Sequence, residues 1–353
     1  MKPGNMDWFA TQLLNWFDHS GRHDLPWQKP VHAYRVWISE IMLQQTQVST
    51  VIPYFERFIE RFPNVDVLAS APLDEVLHLW TGLGYYARAR NLHKAAIIIK
   101  QNFHGALPAE LEQLESLPGI GRSTAGAIRA IGHSRRAPIL DANVKRVLTR
   151  FHAIPGFPGK TIVTNKLWEV SDSHTPHARL PDYTQAIMDL GATLCTRKSP
   201  ACQTCPMHTR CKAYAAGEID KYPEAKPAKT MPVRKCRMFL LQNTLGECFL
   251  EQRPAKGIWG GLWSPPQRDA DYSEVQMLDE LNIAAKGKAT IQTPFRHTFT
   301  HYHLDIEPVL IRIRDGQNRI SSTTGHVWYS KSLNLKLGLS SAAVKLLSLV
   351  EPG

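Results

Sequence analysis

The first part of the chain has apolar residues at helical spacing. Between Asp7 and Phe17 they fall at positions 8, 9, 13, 14 and 17, which predicts an amphipathic helix. The string Leu25-Pro26-Trp27 interrupts the pattern, because proline does not continue a helix. A second apolar stripe then predicts a helix from about Ala33 to Thr46.

The helical pattern continues well beyond this point. Three or four further amphipathic helices are predicted between residues 50 and 115, where prolines and glycines mark the breaks. Two more are predicted near 161–171 and 182–192. We therefore expect a mainly α N-terminal domain that closes at about residue 222.

After residue 235 the apolar pattern changes to the period of β-strands. The predicted elements are strands at Arg237–Gln242, Cys248–Arg253, Phe295–Ile313 and Gly325–Ser330, and helices near 272–283 and 340–350. This mixture predicts an α/β C-terminal domain over residues 235–353. The stretch between the two halves is rich in proline and basic residues, which is typical of a semi-stiff linker, placed at 223–234.

Composition narrows the classes of function. A formal net charge of +11 favours a polyanionic partner such as nucleic acid, although basic charge alone is weak support. The sequence contains no run of 18 apolar residues, and its beginning lacks the pattern of a secretory signal. We expect a cytoplasmic protein that makes no membrane contact.

Four of the six cysteines are concentrated in one short loop, as Cys195-x6-Cys202-x2-Cys205-x5-Cys211. In a reducing compartment such spacing favours a metal centre over disulfides. Zinc is an alternative, but zinc sites usually combine two short Cys-x2-4-Cys pairs and this loop has one. The two remaining cysteines, at positions 236 and 248, are expected to pack as small apolar residues.

One carboxyl group lies on an unusually apolar stretch of the second predicted helix. The helical neighbours of Glu40 are Val36, Trp37, Leu43 and Gln44. Desolvation there would raise the pKa of the glutamate and favour its protonated form, as a general acid requires. The alternative is a structural glutamate, half-exposed where two helices meet.

A glycine-containing turn precedes an isolated acidic residue. Gly119 and Gly121 lie in the turn Leu117–Gly121, and a helix start behind such a turn presents N–H groups that attract anions. Between residues 121 and 150 there are seven Lys or Arg residues and one acidic residue, Asp141. This aspartate can be an N-cap of the helix predicted to follow it, or a functional carboxylate, and one residue can be both.

The turn and the segment that ends at Asp141 resemble the helix-hairpin-helix DNA glycosylase superfamily. Two further strings are similar to this superfamily: WISEIMLQQTQV around Glu40, and the cysteine loop 195–211, whose spacing matches its endonuclease III and MutY branch. The string GLGYYARARNL at 82–92 is similar to the MutY subfamily of adenine DNA glycosylases. The resemblance covers nearly the whole chain. It implies domain boundaries of 1–222 for a helical barrel with its cluster loop, and 235–353 for a Nudix-like domain.

The resemblance also implies what each matching residue does. It implies that Glu40 and Asp141 are catalytic, that Gln45 and Tyr85 enter the DNA stack, and that a [4Fe-4S] cluster is bound by Cys195, Cys202, Cys205 and Cys211. Trp27 and Leu43 match the base pocket, although an aromatic residue at 27 is equally compatible with plain core. The other residues implied to contact DNA are Gly119, Gly121, Ser123, Asn143, Lys145, Phe299, Thr300 and His301.

The C-terminal half resembles the Nudix-like domain of the same subfamily in GIWGGLWSPPQ and in FRHTFTHYHLDI. Residues 269–283 lack the Arg-Glu and Glu-Glu cluster by which Nudix hydrolases bind Mg²⁺, so this domain is expected to bind rather than hydrolyse. Phe299-Thr300-His301 matches a loop that reads 8-oxoguanine. From periodicity alone, the nearby histidines are solvated residues on one strand face.

The implied reaction is hydrolysis of the N-glycosidic bond of adenine mispaired with 8-oxoguanine or guanine in duplex DNA, by a monomer associated with the bacterial nucleoid. Ser123 occupies the position where bifunctional relatives carry a lysine, so no strand cleavage is expected. Two positions depart from the subfamily: Ala142, where glycine is usual, and Thr300, where serine is usual. The alternatives are an endonuclease III-like lyase and a non-catalytic iron-sulfur protein, which would not need the segment around Glu40.

Overall fold

The computed structural model describes residues 7–226, 230–314, 325–333 and 335–350. The described chain forms two compact units. Residues up to 70 together with the chain from Asn91 to the predicted linker form the first, whereas 71–90 join the C-terminal part of the chain in the second. The expected domain boundaries at 222 and 235 stay a prediction, and residues 227–229 of the expected linker lie outside the described residues.

Helices dominate the described chain up to residue 222, as predicted. They are α1 (Trp8–Ser20), α2 (Ala33–Leu43), α3 (Val48–Arg61), α4 (Val65–Ser70), α5 (Leu73–Leu79), α6 (Ala87–Asn102), α7 (Leu111–Glu115), α8 (Arg122–Ala127), α9 (Ala142–His152), α10 (Thr161–His174), α11 (Leu180–Thr193) and α12 (Lys212–Ala215). Within the described ranges, none of the helices combines the length and the apolar character needed to cross a membrane.

One core of the first unit forms where α1, α9, α10 and α11 meet. The apolar stripe of α1 supplies Leu13 and Leu14, and α9 supplies Val144 and Leu148, all at most 2% exposed. Leu190 of α11 completes the same cluster. Burying side chains of this size stabilises the fold by about 1.5 to 3 kcal/mol each. This packing fixes α9, the helix that begins at Ala142.

The second predicted helix is shorter than its apolar pattern indicated. It was expected to reach Thr46, but α2 ends at Leu43 and the chain turns before α3. In this turn Gln45 has a φ of +59°, a left-handed conformation that is uncommon for residues other than glycine. The turn leaves the Gln45 side chain exposed.

The described C-terminal part of the second unit contains a mixed eight-stranded sheet and two helices, and residues 71–90 add α5 to the same unit. The elements are β1 (Val233–Gln242), β2 (Cys248–Gln252), β3 (Trp263–Ser264), β4 (Gln267–Asp269), β5 (Thr290–Ile291), β6 (Phe295–Thr298), β7 (His303–Arg312), β8 (His326–Tyr329), α13 (Glu274–Leu281) and α14 (Ser341–Leu347). The main path of hydrogen-bonded strands runs β3-β2-β1-β7-β5. Outside this path, β4 pairs with β1, β6 with β7, and β8 with β2. Only β1 and β7 pair in parallel among the named strands, from Val233 opposite His303 onward.

The long alternating run from Phe295 to Ile313 is two strands rather than one. β6 and β7 pair antiparallel, with Thr298 opposite His303. A tight turn joins them, in which the Phe299 N–H donates to the carbonyl of Tyr302 at 2.9 Å. Alternation continues through a two-stranded hairpin when the turn is short, so periodicity alone did not reveal the break.

Candidate functional site

The glycine-containing turn needs glycine at one of its two positions. Gly119 has a φ of +82°, and a Cβ atom there would lie 2.9 Å from the Cβ of Asn91. Gly121 has a φ of −94°, is the N-cap of α8, and has open space around it. Of these two glycines, Gly119 therefore has a positive φ and Gly121 does not. Gly121 keeps the surface before α8 free of side-chain atoms.

The short helix α8 supports the segment that leads to Asp141. The Ser123 hydroxyl accepts a hydrogen bond from the Leu140 N–H at 2.9 Å. Gly126 allows the same segment to approach closely, because an added Cβ would lie 2.4 Å from the Pro138 carbonyl oxygen. Ser123, where a lysine would be expected in a bifunctional relative, thus has a structural partner in Leu140.

Asp141 is the N-cap of α9, as the local pattern predicted. Its Oδ1 accepts a hydrogen bond from the Val144 N–H at 2.7 Å. Ala142 is the first residue of this helix and is not among the residues with positive φ. The alanine in place of glycine therefore introduces no backbone strain at this point.

Glu40 and Asp141 come from distant parts of the sequence and are electrostatically coupled. Burial and the negative charge of Asp141 together raise the pKa of Glu40 from an ordinary value of 4.5 to about 8. Burial is the larger of the two causes. No described residue contributes a hydrogen bond that would lower this pKa. Glu40 consequently keeps its proton at neutral pH.

Burial also raises the pKa of Asp141 above its ordinary value of 3.8. Three groups oppose this shift: the Val144 N–H, the positive charge of Arg146, and the backbone and side-chain amides of Asn143. A cationic neighbour favours the ionised form of an aspartate. Arg146 does act in that direction, but burial is the largest single influence on the pKa.

Arg146 connects Asp141 to the cysteine loop. The Asn143 side chain lies between Asp141 and Arg146. Its amide nitrogen lies 3.4 Å from Asp141 Oδ2, and its oxygen accepts a hydrogen bond from Arg146 Nη2 at 2.9 Å. The same guanidinium donates to the carbonyl oxygens of Gly191 at 2.7 Å and Cys195 at 2.6 Å. Gly191 permits this approach, because a Cβ atom there would lie 2.6 Å from the Cβ of Asn143.

Arg150, one turn further along α9, holds the cysteine loop directly. It is 2% exposed, and it donates to the carbonyl oxygens of Thr196 at 2.7 Å and Tyr222 at 2.9 Å. Its Nη1 also lies 3.5 Å from the Sγ of Cys195. A buried arginine with these partners orders a loop that has little regular secondary structure of its own.

The four cysteines of the loop line one cavity together with Arg150, His208, Tyr214 and apolar residues. Burial raises the pKa of the Cys205 thiol to about 12, and the charges of the other cysteines contribute. Within the described part of the chain, no group of three or more His, Cys, Asp or Glu side chains is gathered around a point that would hold one metal ion. Four cysteines and one guanidinium around a single cavity are a set of side chains that fits a multinuclear metal group held by protein thiolates.

Arg146 and Arg150 were absent from the residues predicted to be functional. The sequence carried a signal for them, because arginines four positions apart lie on the same face of a helix. The first of the two arginines lies about one helical turn after Asp141. A basic run is usually a solvated face, and only the fold shows that these two side chains point inward.

The structure places the other residues of the helical unit in contrasting environments. Trp27 is buried, with its ring 5.4 Å from that of Phe55 in an edge-on contact, which is how a core residue packs. Leu43 is half-buried at the end of α2, next to the exposed Gln45. Lys145 is half-buried on α9, and its backbone N–H donates to the Asp141 carbonyl at 2.9 Å. Their roles in DNA binding stay predictions.

Tyr85 lies in the second unit, on a loop with a strained backbone. Its φ is +50°, and its ring is 46% exposed, whereas the adjacent Tyr86 is only 7% exposed. Of these adjacent tyrosines, Tyr86 is therefore packed inside the protein and Tyr85 faces solvent. The Arg88 guanidinium lies over the Tyr85 ring at 5.3 Å.

The hairpin tip between β6 and β7 displays Thr300 and His301, both exposed. Phe299 points the other way and stacks on the buried Tyr302 ring at 4.8 Å. His297 is half-buried against Phe299, with ring centroids 4.6 Å apart, so the histidines of this region do not form one solvated face.

Two family models match the chain. Residues 38–172 match the HhH-GPD superfamily of base excision DNA repair proteins, and residues 237–349 match the NUDIX domain. Among solved structures, a thermostable thymine-DNA glycosylase is similar, with a TM-score of 0.54 and 25% identity over 59% of this chain and 95% of that one. An endonuclease III–DNA complex has a TM-score of 0.51 at 19% identity, covers 60% of this chain and 95% of that one, and shows the fold alone.

Curated relatives cover almost the full chain. The adenine DNA glycosylase of Buchnera aphidicola subsp. Schizaphis graminum is 40% identical over 97% of this chain and 98% of its own length. The human adenine DNA glycosylase is 32% identical over 96% of this chain and 73% of its own length. With its helical HhH-GPD domain and its Nudix-like α/β domain, this chain belongs to the adenine DNA glycosylase family, base excision repair enzymes that hydrolyse N-glycosyl bonds.

Proposed function

We propose that this protein removes adenine mispaired with 8-oxoguanine or guanine in duplex DNA, with Glu40 as general acid and base and Asp141 as the carboxylate that stabilises the sugar cation. The observation that carries this proposal is the coupling of the two carboxyl groups, in which Glu40 has a pKa of about 8 and senses the charge of Asp141. Glycosidic cleavage commonly uses two carboxyl groups in different environments.

The proposed reaction begins with a proton transfer from Glu40 to the adenine ring. The N-glycosidic bond then breaks and its electron pair leaves with the base, which generates an oxocarbenium-like sugar. Asp141 stabilises this cation, either electrostatically or through a covalent bond. The Glu40 carboxylate finally accepts a proton from the attacking water, so that both carboxyl groups return to their initial states.

Access to the N-glycosidic bond requires the adenine to leave the base stack, at a cost of roughly a few kcal/mol. We assign the compensating contacts to Gln45 and Tyr85 within the stack, and to the backbone around Gly119 and Gly121 at a phosphate. Exposure and left-handed φ at both Gln45 and Tyr85 support this assignment, because strained backbone is often retained where a side chain has a function. Trp27 and Leu43 are proposed to face the extruded base, and Ser123, Asn143 and Lys145 to lie along the bound strand.

A [4Fe-4S] cluster is proposed for the cavity lined by Cys195, Cys202, Cys205 and Cys211. When bound, the cluster would act as a structural cross-link and needs no redox step in this reaction. The residues of this chain have their own part: Arg150 holds the loop at Cys195 and Thr196, and Arg146 connects that loop to Asn143. We infer that ordering of the loop stabilises the position of Asp141.

The second unit is proposed to read the base opposite the adenine. The exposed pair Thr300 and His301, at the tip of a hairpin anchored by Phe299, offers a hydroxyl and an imidazole to the edge of 8-oxoguanine. We propose the boundaries 1–222 and 235–353 for the two domains, with 223–234 between them. We also propose a monomer that acts on the cytoplasmic nucleoid, in line with the bacterial relatives.

The test is a single-turnover assay with duplexes that carry adenine opposite 8-oxoguanine, guanine or thymine. Adenine release from the first two, with an abasic site left intact, is expected from the wild-type chain. Glu40→Gln and Asp141→Asn should each abolish release while mispair binding survives, because phosphate contacts supply most of the affinity. Near-normal cleavage by either variant would show that the carboxylates are wrongly assigned, and strand scission as fast as base loss would show a lyase.

Metal content tests the cluster separately. Protein purified without oxygen is expected to be yellow-brown with about four irons per chain. Stoichiometric zinc without visible absorption would overturn the assignment of the cluster and leave the assignment of the carboxylates intact.

A further inference from the structure

Residues 71–90 belong to the second unit although the chain on both sides of them belongs to the first. Polar contacts attach this segment to the C-terminal part of the chain. They include Trp263 Nε1 to Asp74 Oδ1 at 3.3 Å, Lys336 Nζ to Glu75 Oε1 at 2.8 Å, the Leu339 N–H to Thr81 Oγ1 at 3.3 Å, and Arg90 Nη1 to the Gly260 carbonyl at 2.7 Å. Gly338 approaches so closely that an added Cβ would lie 2.4 Å from the Leu77 Cβ.

The Tyr86 hydroxyl lies at the centre of this attachment. It donates to the Leu339 carbonyl oxygen at 2.7 Å and accepts from the Gly82 N–H at 3.2 Å. The ring is 7% exposed, so neither bond competes freely with water. One hydroxyl therefore fixes the beginning of the 82–86 loop to the strand-like segment around residue 339.

The loop that Tyr86 holds is otherwise a high-energy conformation. Gly82, Gly84 and Tyr85 have φ values of +96°, +76° and +50°. Tyr85 is the only one of these with a side chain, and an aromatic residue rarely adopts positive φ unless its surroundings enforce it. Trp80 Nε1 and Arg88 Nη2 both donate to the Gly84 carbonyl, at 3.1 and 3.2 Å, and add to the restraint.

We propose that Tyr86 is a positioning residue that holds Tyr85 in its exposed, left-handed conformation by anchoring the 82–86 loop to the C-terminal segment at Leu339. The C-terminal part of the chain would then act on the DNA wedge as well as on the opposite base. The role of Tyr85 as a wedge rests on the proposed function. The anchor itself is a property of the free protein and can be measured without DNA.

The principal variant is Tyr86→Phe in the full chain, which keeps the buried ring and removes the hydroxyl. Tyr329→Phe, in β8 of the same unit, is the matched control for loss of a phenol hydroxyl outside the loop. Thr81→Val is a second variant, because it removes the acceptor of the Leu339 N–H while keeping the volume of the side chain. Circular dichroism checks that all three variants fold.

Hydrogen exchange in the free protein reports on the anchor. The Gly82 amide should exchange about tenfold faster in Tyr86→Phe, as is typical when one hydrogen bond of a protected group is lost, and Tyr329→Phe should match the wild type. Thr81→Val should accelerate exchange in the same loop. Unchanged exchange of Gly82 in Tyr86→Phe overturns the proposal.

Wedge insertion is measured with 2-aminopurine placed next to 8-oxoguanine in a duplex, since unstacking of this base raises its fluorescence. Tyr86→Phe should lower the fluorescence rise and slow single-turnover adenine release about tenfold, with duplex affinity changed by about twofold or less. Faster Gly82 exchange with an unchanged fluorescence rise would show that the anchor does not position Tyr85, and would overturn the proposal. Failure of the proposed function has a different signature, which is the absence of adenine release from the wild-type chain.

Discussion

The raised pKa of Glu40 predicts that this residue destabilises the folded protein as the pH rises. The folded state holds the Glu40 proton with a pKa of about 8, whereas the unfolded chain has the ordinary value of 4.5. The folded state therefore binds the proton more tightly. Stability that depends on this proton is complete below about pH 4.5 and is lost as the pH rises toward 8.

The magnitude follows from the two pKa values. The linkage relation gives a penalty of about 1 kcal/mol at pH 5 and about 3 kcal/mol at pH 7 for a carboxyl with this shift. Both values are upper limits, because the side chain is half-buried and water that reaches the carboxyl weakens the shift. Glu40→Gln has no proton to lose. Its free energy of unfolding should therefore exceed that of the wild type. This excess should increase by up to about 2.5 kcal/mol between pH 5 and pH 7.

Urea unfolding followed by circular dichroism at pH 5, 6, 7 and 8 measures this difference. Glu60→Gln, on the exposed side of α3, is the control for removal of a surface carboxyl. Asp141→Asn should reduce the pH dependence contributed by Glu40, since it removes the negative charge that raises the pKa of Glu40. If the difference between Glu40→Gln and the wild type is the same at every pH, Glu40 is an ordinary half-exposed glutamate and the reasoning is refuted.

Three further predictions concern catalysis and damage recognition. The single-turnover rate of adenine release should fall as the pH rises through about 8, because Glu40 then loses the proton that it donates; a rate that stays constant up to pH 9 would contradict this. Arg146→Lys should slow adenine release at least about tenfold, because an ammonium group cannot reproduce the planar guanidinium contacts to Asn143 and Cys195. Measuring iron content beside the rate shows whether the variant loses the cluster or instead disturbs Asp141 while the cluster stays bound. Changing both Thr300 and His301 to Ala should reduce the preference for 8-oxoguanine over guanine substantially, whereas Thr300→Ser should change it little; an unchanged preference in the double variant would place damage recognition elsewhere.

Point variants are better suited to this protein than truncation after the linker. Residues 71–90 have their contact partners in the C-terminal part of the chain, including the Leu339 carbonyl and Lys336. Removal of that part would expose Leu77 and Tyr86 at the same time as it removes the 299–302 hairpin tip. A loss of discrimination in such a truncated protein would therefore have two causes.

The features that the sequence predicted correctly depend on neighbours in the chain. The apolar stripe of α1, the cap at Asp141 and the strand period of β1 arise from contacts between residues a few positions apart. Such interactions are present in the sequence itself, because helix hydrogen bonds and capping bonds connect residues three or four positions apart. Both oxygens of the Asp141 carboxylate have such local partners: Oδ1 accepts the capping bond from the Val144 N–H, and the Asn143 side-chain amide lies 3.4 Å from Oδ2.

The tertiary structure decided what depends on distant residues. It brought Glu40 within the electrostatic range of Asp141, turned Arg146 and Arg150 inward, and divided the run after Phe295 into a hairpin. It also grouped residues 71–90 with the C-terminal part of the chain. Desolvation and long-range hydrogen bonds depend on everything packed around a group, which no local pattern records. The pKa of Glu40 is the clearest case, since its apolar helical neighbours indicated the direction of the shift and only the fold supplied the charge of Asp141.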